Sequence, residues 1–403
     1  MKDTISRVNQ LQEKMNAKGI AATILKLPEN LVLFSLYWPR NGFSFLFVPA
    51  EGNSCIIAPY GDQDDPDKGI ISEVRRFGWV KLEDGDPYST IGSILEDLKQ
   101  KDRIPDGSVI GTDLDADVMA PNLCCGELMP PGANTRKMLR KVFRTERLVE
   151  VTGIIGEMRR VKTKEEVEKI EMANELGWIG IERFVELASE PGIREIDIAA
   201  EIESCILRTA SGYKGRVKFG RAVTQITSGP KRTEAAWFAG MVTTDRIIRN
   251  GDFVMIEVGL VADGFWCDLT KTIVSGTASD KQIEIMSVIE RSQATALAAI
   301  KEGVSAGEID QVARESIRND GYGEYFVHIL GHGVGLAYHD GEPYLMPGAQ
   351  LVLKAGMVHS CEPGVYIPGV GGVRQEVNVL VTKRSGKVLG KSLPMVKGEK
   401  DEV

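Results

Sequence analysis

Two carboxylates, Glu257 and Asp268, stand eleven positions apart in "FVMIEVGLVADGFWCDLTKT" (residues 253–272), a stretch that is otherwise apolar and strand-like. The dipeptide Asp263-Gly264 is a strong signal for a two-residue hairpin turn, which places Glu257 diagonally across from Asp268. A turn one residue earlier would place the two acids directly opposite each other. Because side chains alternate along a strand, either register predicts both carboxylates on one face, whereas a three-residue loop would separate them.

Two carboxylates that converge on an apolar hairpin repel each other and lose hydration unless a cation lies between them. The alternative is one inward acid and one acid paired with a base at the rim. The histidines favour a cation between the two acids, since three of the four in the chain fall within "VHILGHGVGLAYHDGEP". These are His328, His332 and His339. The glycines between them allow close approach of the backbone.

Two further acids stand in apolar, strand-like surroundings. Glu362 lies in "GMVHSCEPGVYI" and Glu376 in "GGVRQEVNVLVT", where Arg374, Glu376 and Asn378 share one face of a strand. Carboxylates with one imidazole suit Mn²⁺, Fe²⁺, Co²⁺ or Zn²⁺. Four carboxylates and a neutral histidine carry a charge that two divalent ions would balance, and a two-metal site performs hydrolytic chemistry.

The composition limits the classes of protein to consider. A chain of 403 residues with 43% hydrophobic and 26% charged residues predicts a globular protein of two domains. The net charge of −8 and the lack of a long basic run argue against nucleic acid as a partner. No signal peptide or apolar run of membrane-spanning length is evident. The six cysteines lack disulfide-like spacing, so we expect a cytoplasmic protein.

The elements that must position these residues alternate along the chain. Residues 4–18 predict an amphipathic helix ending at Gly19, and strand-like and helical segments then alternate, which indicates a small α/β domain with a mixed sheet. A capping box at Thr163 and Glu166 begins a long helix that ends at Pro191-Gly192. We place the domain boundary just before it, at about residue 155. The predicted strands are residues 20–27, 43–50, 54–60 and 107–113, with a helix at 90–101.

The motifs together resemble a known family. "HILGHGVGLAYHD" (328–340), "EPGVY" (362–366) and "RQE" (374–376), with "DGFWCDLTKT" upstream, are similar to those of the creatinase/prolidase/aminopeptidase P group of pita-bread metallohydrolases. The resemblance covers nearly the whole chain. It implies an α/β (α+β) fold, with a creatinase-like N-terminal domain over residues 1–155 and a pita-bread catalytic domain over 156–403. It also suggests a homodimer.

The resemblance assigns roles to individual residues. Asp268 and Glu376 would bridge two metal ions, Glu362 would also act as the general base, and His339 would polarise the substrate carbonyl or stabilise the tetrahedral intermediate. His328 would support the site from behind, and Arg374 would orient the first acid. The implied ligands of one or two divalent ions (Mn, Co, Zn or Fe) are Glu257, Asp268, His332, Glu362 and Glu376.

The chain departs from the family in two places. The first ligand of the family's peptidases is an aspartate, whereas this chain has Glu257, whose extra methylene moves the carboxylate and leaves open whether one ion or two bind. The family's substrate histidine corresponds to Gly240, and we expect His359, three residues before Glu362, to be a packed structural residue rather than its substitute.

A loop of the N-terminal domain corresponds to one that closes a partner subunit's active site in the family. Its residues Tyr37, Trp38 and Arg40 would line that site, with Arg40 gripping a substrate carboxylate. A surface loop with an unrelated arginine is the alternative.

The residues and the resemblance are compatible with three functions. The first is a metal-dependent hydrolase of a C–N bond, most simply an Xaa-Pro dipeptidase or aminopeptidase acting on short peptides. The second keeps the fold but acts on a small zwitterionic metabolite, as creatinase, ectoine hydrolase or a dimethylsulfoniopropionate lyase does. The third is a non-catalytic peptide-binding module, which we rank last because the ligand set is nearly complete.

Overall fold

The computed structural model describes residues 2–39, 43–60, 62, 70–71, 73–78, 85–115, 132–237 and 242–395. Among these residues the chain divides into two compact units, one ending at Arg159 and the other beginning at Arg160. None of the helices in the described ranges is long and apolar enough to cross a membrane.

The first unit is built on a mixed sheet, as its alternating pattern predicts. The strand order is β4-β3-β2-β1-β5-β6, in which β1–β2 and β2–β3 are antiparallel and β1–β5, β3–β4 and β5–β6 are parallel. Apolar residues of β1, β2 and β3 are buried against helices α3 and α4. The elements are α1 Lys2–Ala17, β1 Ile20–Leu25, α2 Pro28–Ser35, β2 Phe45–Pro49, β3 Cys55–Pro59, β4 Glu73–Phe77, α3 Pro87–Lys101, β5 Val109–Thr112, α4 Ala133–Phe143, β6 Leu148–Glu150 and α5 Thr152–Arg160.

The second unit combines long helices with antiparallel strands. Its elements are α6 Lys164–Ala188, α7 Glu195–Ala210, β7 Gly220–Ser228, α8 Pro230–Glu234, β8 Phe253–Ala262, β9 Phe265–Val274, α9 Asp280–Ala299, α10 Ala306–Asn319, β10 Val358–Cys361, β11 Gly364–Ile367, β12 Gly371–Arg374, β13 Val377–Val381 and β14 Gly386–Val388. The sheets have the orders β7-β8-β9 and β10-β13-β14, and β11 pairs with β12 as a separate hairpin.

Helix α6 begins and packs as its sequence predicts. The Thr163 hydroxyl accepts a hydrogen bond from the Glu166 amide, and the Glu166 carboxylate accepts one from the Thr163 amide, which completes the predicted capping box. Gly177 lets this helix lie directly on β9, because a Cβ there would stand 2.8 Å from the Cys267 sulfur. The helix therefore covers one face of the strand pair that carries Glu257 and Asp268.

The β8–β9 hairpin adopts the diagonal register. Ala262 pairs with Phe265, so the turn is Asp263-Gly264, and both of its residues have positive φ, 48° and 88°. These values are those of the primed turns that match the twist of paired strands. Glu257 pairs with Thr270, two residues beyond Asp268, so the two acids lie on the same face and diagonally across from each other. The prediction from the dipeptide Asp263-Gly264 is confirmed.

Candidate metal centre

The β9 strand contributes a deeply buried carboxylate. Asp268 is 2% exposed, and its backbone amide donates to the side-chain oxygen of Asn378 on β13 at 3.0 Å. The Asn378 amide in turn donates to the Asp268 carbonyl at 2.8 Å. These two bonds connect β9 to β13, the strand that begins directly after Glu376. Asp268 and Glu376 are therefore held side by side although they are distant in the sequence.

His332 is held with one ring nitrogen aimed at the carboxylates. Its Nδ1 lies 3.0 Å from the Gly333 carbonyl oxygen and donates a hydrogen bond to it, so in the neutral ring the lone pair is on Nε2. That Nε2 is 3.4 Å from Asp268 Oδ2 and 3.4 Å from Glu362 Oε1. A lone pair facing two carboxylates is repulsive unless a cation lies among them. The tautomer suits a metal ligand.

The glycines beside His332 have the role that the sequence predicts. A Cβ on Gly331 would lie 2.2 Å from the Ser360 carbonyl oxygen, and one on Gly333 would lie 2.6 Å from that of Glu342. The backbone on both sides of the histidine is therefore packed against other segments at distances that only glycine permits. The His332 amide also donates to the Ser360 hydroxyl oxygen at 3.0 Å.

Glu362 and Glu376 complete the group from two loops at strand ends. Glu362 follows β10, and its Oε1 accepts a hydrogen bond from the Ser360 hydroxyl at 2.9 Å. Glu376 lies between β12 and β13, and its Oε2 accepts one from the Thr270 hydroxyl at 2.8 Å. The Glu376 amide also donates to the Thr270 carbonyl at 2.9 Å. These bonds aim both carboxylates toward His332.

The donor set fits a divalent cation. Potential ligand atoms of His332, Glu362 and Glu376 lie within 4.8 Å of one another, as do those of Asp268, His332 and His339. Asp268 Oδ1 and Glu376 Oε1 are buried and have no hydrogen-bond partner in the described part of the chain. Other buried polar atoms of the described residues also lack a partner, but these two are carboxylate oxygens within a group of potential ligand atoms, which fits a bound cation.

The pKa values of the buried carboxyl groups also favour a bound cation. Burial raises the pKa of the Asp268 carboxyl well above its usual range, and the charges of Glu257 and Glu362 raise it further. Burial, together with the charge of Asp268, likewise raises the pKa of Glu376 well above its usual range. Without a cation, Asp268 and Glu376 therefore tend to hold protons. A divalent ion bound to these carboxylates would take the place of the protons.

Glu257 has a different environment from the other acids. Its Oε1 accepts a hydrogen bond from the Tyr338 hydroxyl at 2.5 Å, and its Oε2 accepts one from Arg374 Nη2. Burial opposes ionisation here, but the charge of Arg374, the hydrogen bond from Tyr338 and the nearby histidines together outweigh it and lower the pKa of Glu257. Arg374 therefore contacts the first acid, as the family resemblance implies.

The two remaining histidines of the motif have different surroundings. His328 Nδ1 donates to the Ile329 carbonyl at 2.7 Å, and its Nε2 lies 3.0 Å from the Tyr366 hydroxyl. Burial, together with the charge of Arg374, lowers the pKa of His328 to about 3, so the ring is neutral. The His339 ring centroid is 4.5 Å from that of His332, which puts His339 beside the candidate ligands.

Two of the three residues predicted from the first unit, Tyr37 and Trp38, lie within the described ranges. Tyr37 is buried within its own unit, where its hydroxyl donates to Asp62 Oδ2 and lies 3.2 Å from Ser44 Oγ. Trp38 is half-buried in the same segment. Arg40 lies outside the described residues.

Gly240 and His359 are the two positions that bear on the histidine this chain lacks. Gly240 also lies outside the described residues. His359 is fully buried, its Nδ1 donates to the Ser360 carbonyl at 2.7 Å, and burial lowers its pKa to about 4. The prediction that His359 is packed inside the protein is confirmed.

Sequence reasoning missed three hydroxyl groups that hold the acids. Thr270 and Ser360 donate to Glu376 and Glu362, and Tyr338 donates to Glu257. A signal existed for two of them, because each lies two residues from a predicted ligand and therefore faces the same side of a strand. Tyr338 reaches Glu257 across 81 positions, which no local pattern indicates.

Comparison with protein families gives two matches that together cover most of the chain. Residues 168–383 match the model of metallopeptidase family M24, and residues 7–161 match that of the creatinase/prolidase N-terminal domain. The Xaa-Pro dipeptidase of Pyrococcus furiosus is 39% identical over 243 residues, covering 60% of this chain and 66% of that protein. The Xaa-Pro dipeptidase of Pyrococcus horikoshii is 34% identical over 265 residues, covering 63% and 69%.

Solved structures extend the similarity over both parts of the chain. The prolidase from Pyrococcus horikoshii matches with a TM-score of 0.77 and 27% identity, covering 97% of this chain and all of that one. The prolidase from Pyrococcus furiosus matches with a TM-score of 0.73 and 28% identity, covering 95% and 99%. The chain therefore belongs to metallopeptidase family M24 and carries a creatinase/prolidase N-terminal domain before its peptidase domain.

Proposed function

We propose that this protein is a metal-dependent peptidase that cleaves short Xaa-Pro peptides, most simply an Xaa-Pro dipeptidase. One observation carries the metal: Asp268 Oδ1 and Glu376 Oε1 are buried without a hydrogen-bond partner among the described residues, beside His332 and Glu362. The substrate class is supported by the relatives, several of which are Xaa-Pro dipeptidases or prolidases. They favour a peptidase over the metabolite hydrolase and the binding module.

The ligands would be Asp268, His332, Glu362 and Glu376. When bound, a divalent ion supplies an activated water and polarises the carbonyl of the scissile bond. Glu362 takes the proton of the attacking water and passes it to the leaving amine, and the Ser360 hydroxyl keeps its carboxylate oriented.

Residues beside the ligands would act on the substrate and on the first acid. His339, whose ring lies against that of His332, stabilises the negative charge that develops on the substrate carbonyl oxygen. Behind the site, Arg374 Nη1 donates to the Tyr366 hydroxyl at 2.9 Å, and this hydroxyl donates to the neutral His328. These bonds keep Arg374 directed at Glu257.

Two features limit the expected rate. Glu257 replaces the aspartate of the family's peptidases, and Gly240 occupies the position of the histidine that contacts their substrate. Arg40 stays a prediction as the group that grips the substrate carboxylate. We therefore expect proline release within the ordinary range of enzyme rates but toward its low end.

The test is a panel of substrates with Mn²⁺, Co²⁺, Zn²⁺ or Fe²⁺ supplied. It contains Xaa-Pro dipeptides, longer Xaa-Pro peptides, dipeptides without proline, and small amides and betaines, and free proline is measured. We expect release from Xaa-Pro dipeptides, with Glu362→Gln about 10²- to 10⁴-fold slower. Exposed Glu315→Gln is the matched control and should retain the wild-type rate.

Metal content is measured on each preparation, so that loss of the base is distinguished from loss of the ion. Release from longer peptides but not dipeptides would indicate an aminopeptidase instead. No proline release by a metal-loaded protein, with turnover of a betaine or small amide, would overturn the proposal in favour of the metabolite hydrolase.

Three finer points belong to the same proposal. Mn²⁺ is the first metal to test, because hard carboxylate ligands with one imidazole suit it. A homodimer is implied by the family resemblance and is tested by light scattering of the purified chain. A cytoplasmic location is supported by the free thiols at Cys55, Cys205, Cys267 and Cys361, and fractionation of cells tests it.

A further inference from the structure

Both oxygens of the Glu257 carboxylate already have donors. The Tyr338 hydroxyl donates a hydrogen bond to Oε1, and Arg374 donates one to Oε2. Only 12% of the Glu257 side chain is exposed, so little water reaches it. By contrast, Asp268 and Glu376 each present a buried oxygen without a partner among the described residues. Glu257 thus differs from Asp268 and Glu376, because the protein supplies a donor to each of its two oxygens.

Arg374 is fixed in place by contacts other than Glu257. Its Nη1 donates to the Ala236 carbonyl at 2.8 Å and to the Tyr366 hydroxyl at 2.9 Å, and its Nε donates to the Thr270 hydroxyl at 3.3 Å. A buried guanidinium that left these acceptors would lose several charge-assisted bonds. The arginine therefore keeps its position beside the carboxylate.

Tyr338 is equally constrained, and by its ring. A Cβ on Gly259 would lie 2.2 Å from the Tyr338 ring, and the ring centroid is 6.0 Å from that of Trp266 and 4.5 Å from that of His339. The hydroxyl of this confined ring donates to Glu257 Oε1, so it lies where a second metal ion bound by Glu257 would need that oxygen.

Glu257 is also absent from the groups of side chains that converge within ligand distance. Those groups in the described ranges draw on Asp268, His332, His339, Glu362 and Glu376. The extra methylene of a glutamate carries its carboxylate farther from β8 than an aspartate would, and here it meets Tyr338 and Arg374.

We propose that Tyr338 and Arg374 retain the Glu257 carboxylate as a structural partner, so that the chain binds one divalent ion tightly through Asp268, His332, Glu362 and Glu376. The inference rests on the metal site of the proposed function and deepens it by stating the stoichiometry. Tyr338 is a positioning residue in this scheme. Its hydroxyl opposes binding of a second ion, since that ion would have to break the bond to Glu257.

The test counts ions on the full-length protein by equilibrium dialysis against Mn²⁺, with mass spectrometry of the dialysed protein. The wild type should bind one ion tightly. Tyr338→Phe removes only the hydroxyl, and it should bind a second ion about 10- to 100-fold more tightly than the wild type does, because a hydrogen bond to a charged group is lost. Tyr322→Phe, which removes another largely buried hydroxyl in the same unit, should behave as wild type.

A second variant tests the inference independently of Tyr338. Glu257→Gln should bind its single ion within about threefold of the wild type if the carboxylate is not a ligand, and a loss of more than about tenfold would overturn the proposal. Two ions of similar affinity in the wild type would overturn it, as would a Tyr338→Phe protein with no gain over Tyr322→Phe.

The outcomes separate this inference from the proposed function. One bound ion without proline release would leave the stoichiometry standing and overturn the Xaa-Pro activity. Proline release by a protein that holds two ions would support the activity and overturn the inference. A protein that binds no ion would overturn both.

Discussion

Thr270 offers a sharp test of how the candidate site is held together. It lies on β9, two residues beyond Asp268, and is 1% exposed. Its hydroxyl donates to Glu376 Oε2 at 2.8 Å and accepts from Arg374 Nε at 3.3 Å. One oxygen atom thus orients a candidate ligand and helps to fix the arginine that contacts Glu257.

Thr270→Val keeps the shape of the side chain and removes both hydrogen bonds. A hydrogen bond to a charged group contributes about 1.5–3 kcal/mol, and the 3.3 Å bond from Arg374 is long and contributes less, so we expect the free energy of unfolding to fall by about 2–4 kcal/mol. For a unit of this size that corresponds to a drop in Tm of about 5–15 °C. The affinity for metal should fall about 10- to 100-fold, as it does when a group supporting a ligand is lost.

Two measurements check this prediction. Equilibrium dialysis gives the Mn²⁺ dissociation constant, and thermal unfolding with a chelator present gives the stability of the metal-free protein. Thr270→Ser is the matched control, because it keeps the hydroxyl and should restore most of the metal affinity. The reasoning is refuted if Thr270→Val binds Mn²⁺ within about threefold of the wild type, or if the serine variant binds no better than the valine variant.

Three further predictions concern stability. Glu195→Ala removes a fully buried carboxylate that accepts hydrogen bonds from Ser228 and Thr244. It should lower the free energy of unfolding, measured with a chemical denaturant, by about 3–5 kcal/mol, whereas Glu315→Ala at an exposed position should change it little. Burial lowers the pKa of Lys271 to about 7. Because that is below its value in the unfolded chain, the unfolded state binds more protons above pH 7. The unfolding free energy of the wild type minus that of Lys271→Met should therefore rise by about 1 kcal/mol per pH unit between about pH 7 and 10, and a flat difference would contradict this. Removing metal with a chelator should lower the Tm. Adding Mn²⁺ at about 100 times its dissociation constant should raise the free energy of unfolding by about 2.7 kcal/mol, measured by calorimetry. A Tm that does not change with the chelator would count against a resident ion.

Much of the architecture was accessible from local patterns. The mixed sheet of the first unit, the capping box of α6 and the β8–β9 hairpin all follow from residues close together in the sequence. The diagonal relation of Glu257 and Asp268 needed only the turn at Asp263-Gly264 and the alternation of side chains. The candidate ligands were recognised from motifs, while their roles and the boundary at about residue 155 stay predictions.

What the sequence determined by itself is the chemistry available: four acids and a histidine in apolar strands and loops, with glycines where the backbone must pack closely. Only the tertiary structure decided how each acid is used. Among the described residues, Asp268 and Glu376 each have a buried oxygen that lacks a partner, whereas Glu257 is bonded by Tyr338 and Arg374 across 81 and 117 positions. Such contacts depend on how separate segments pack against each other, which the periodicity within one strand does not specify.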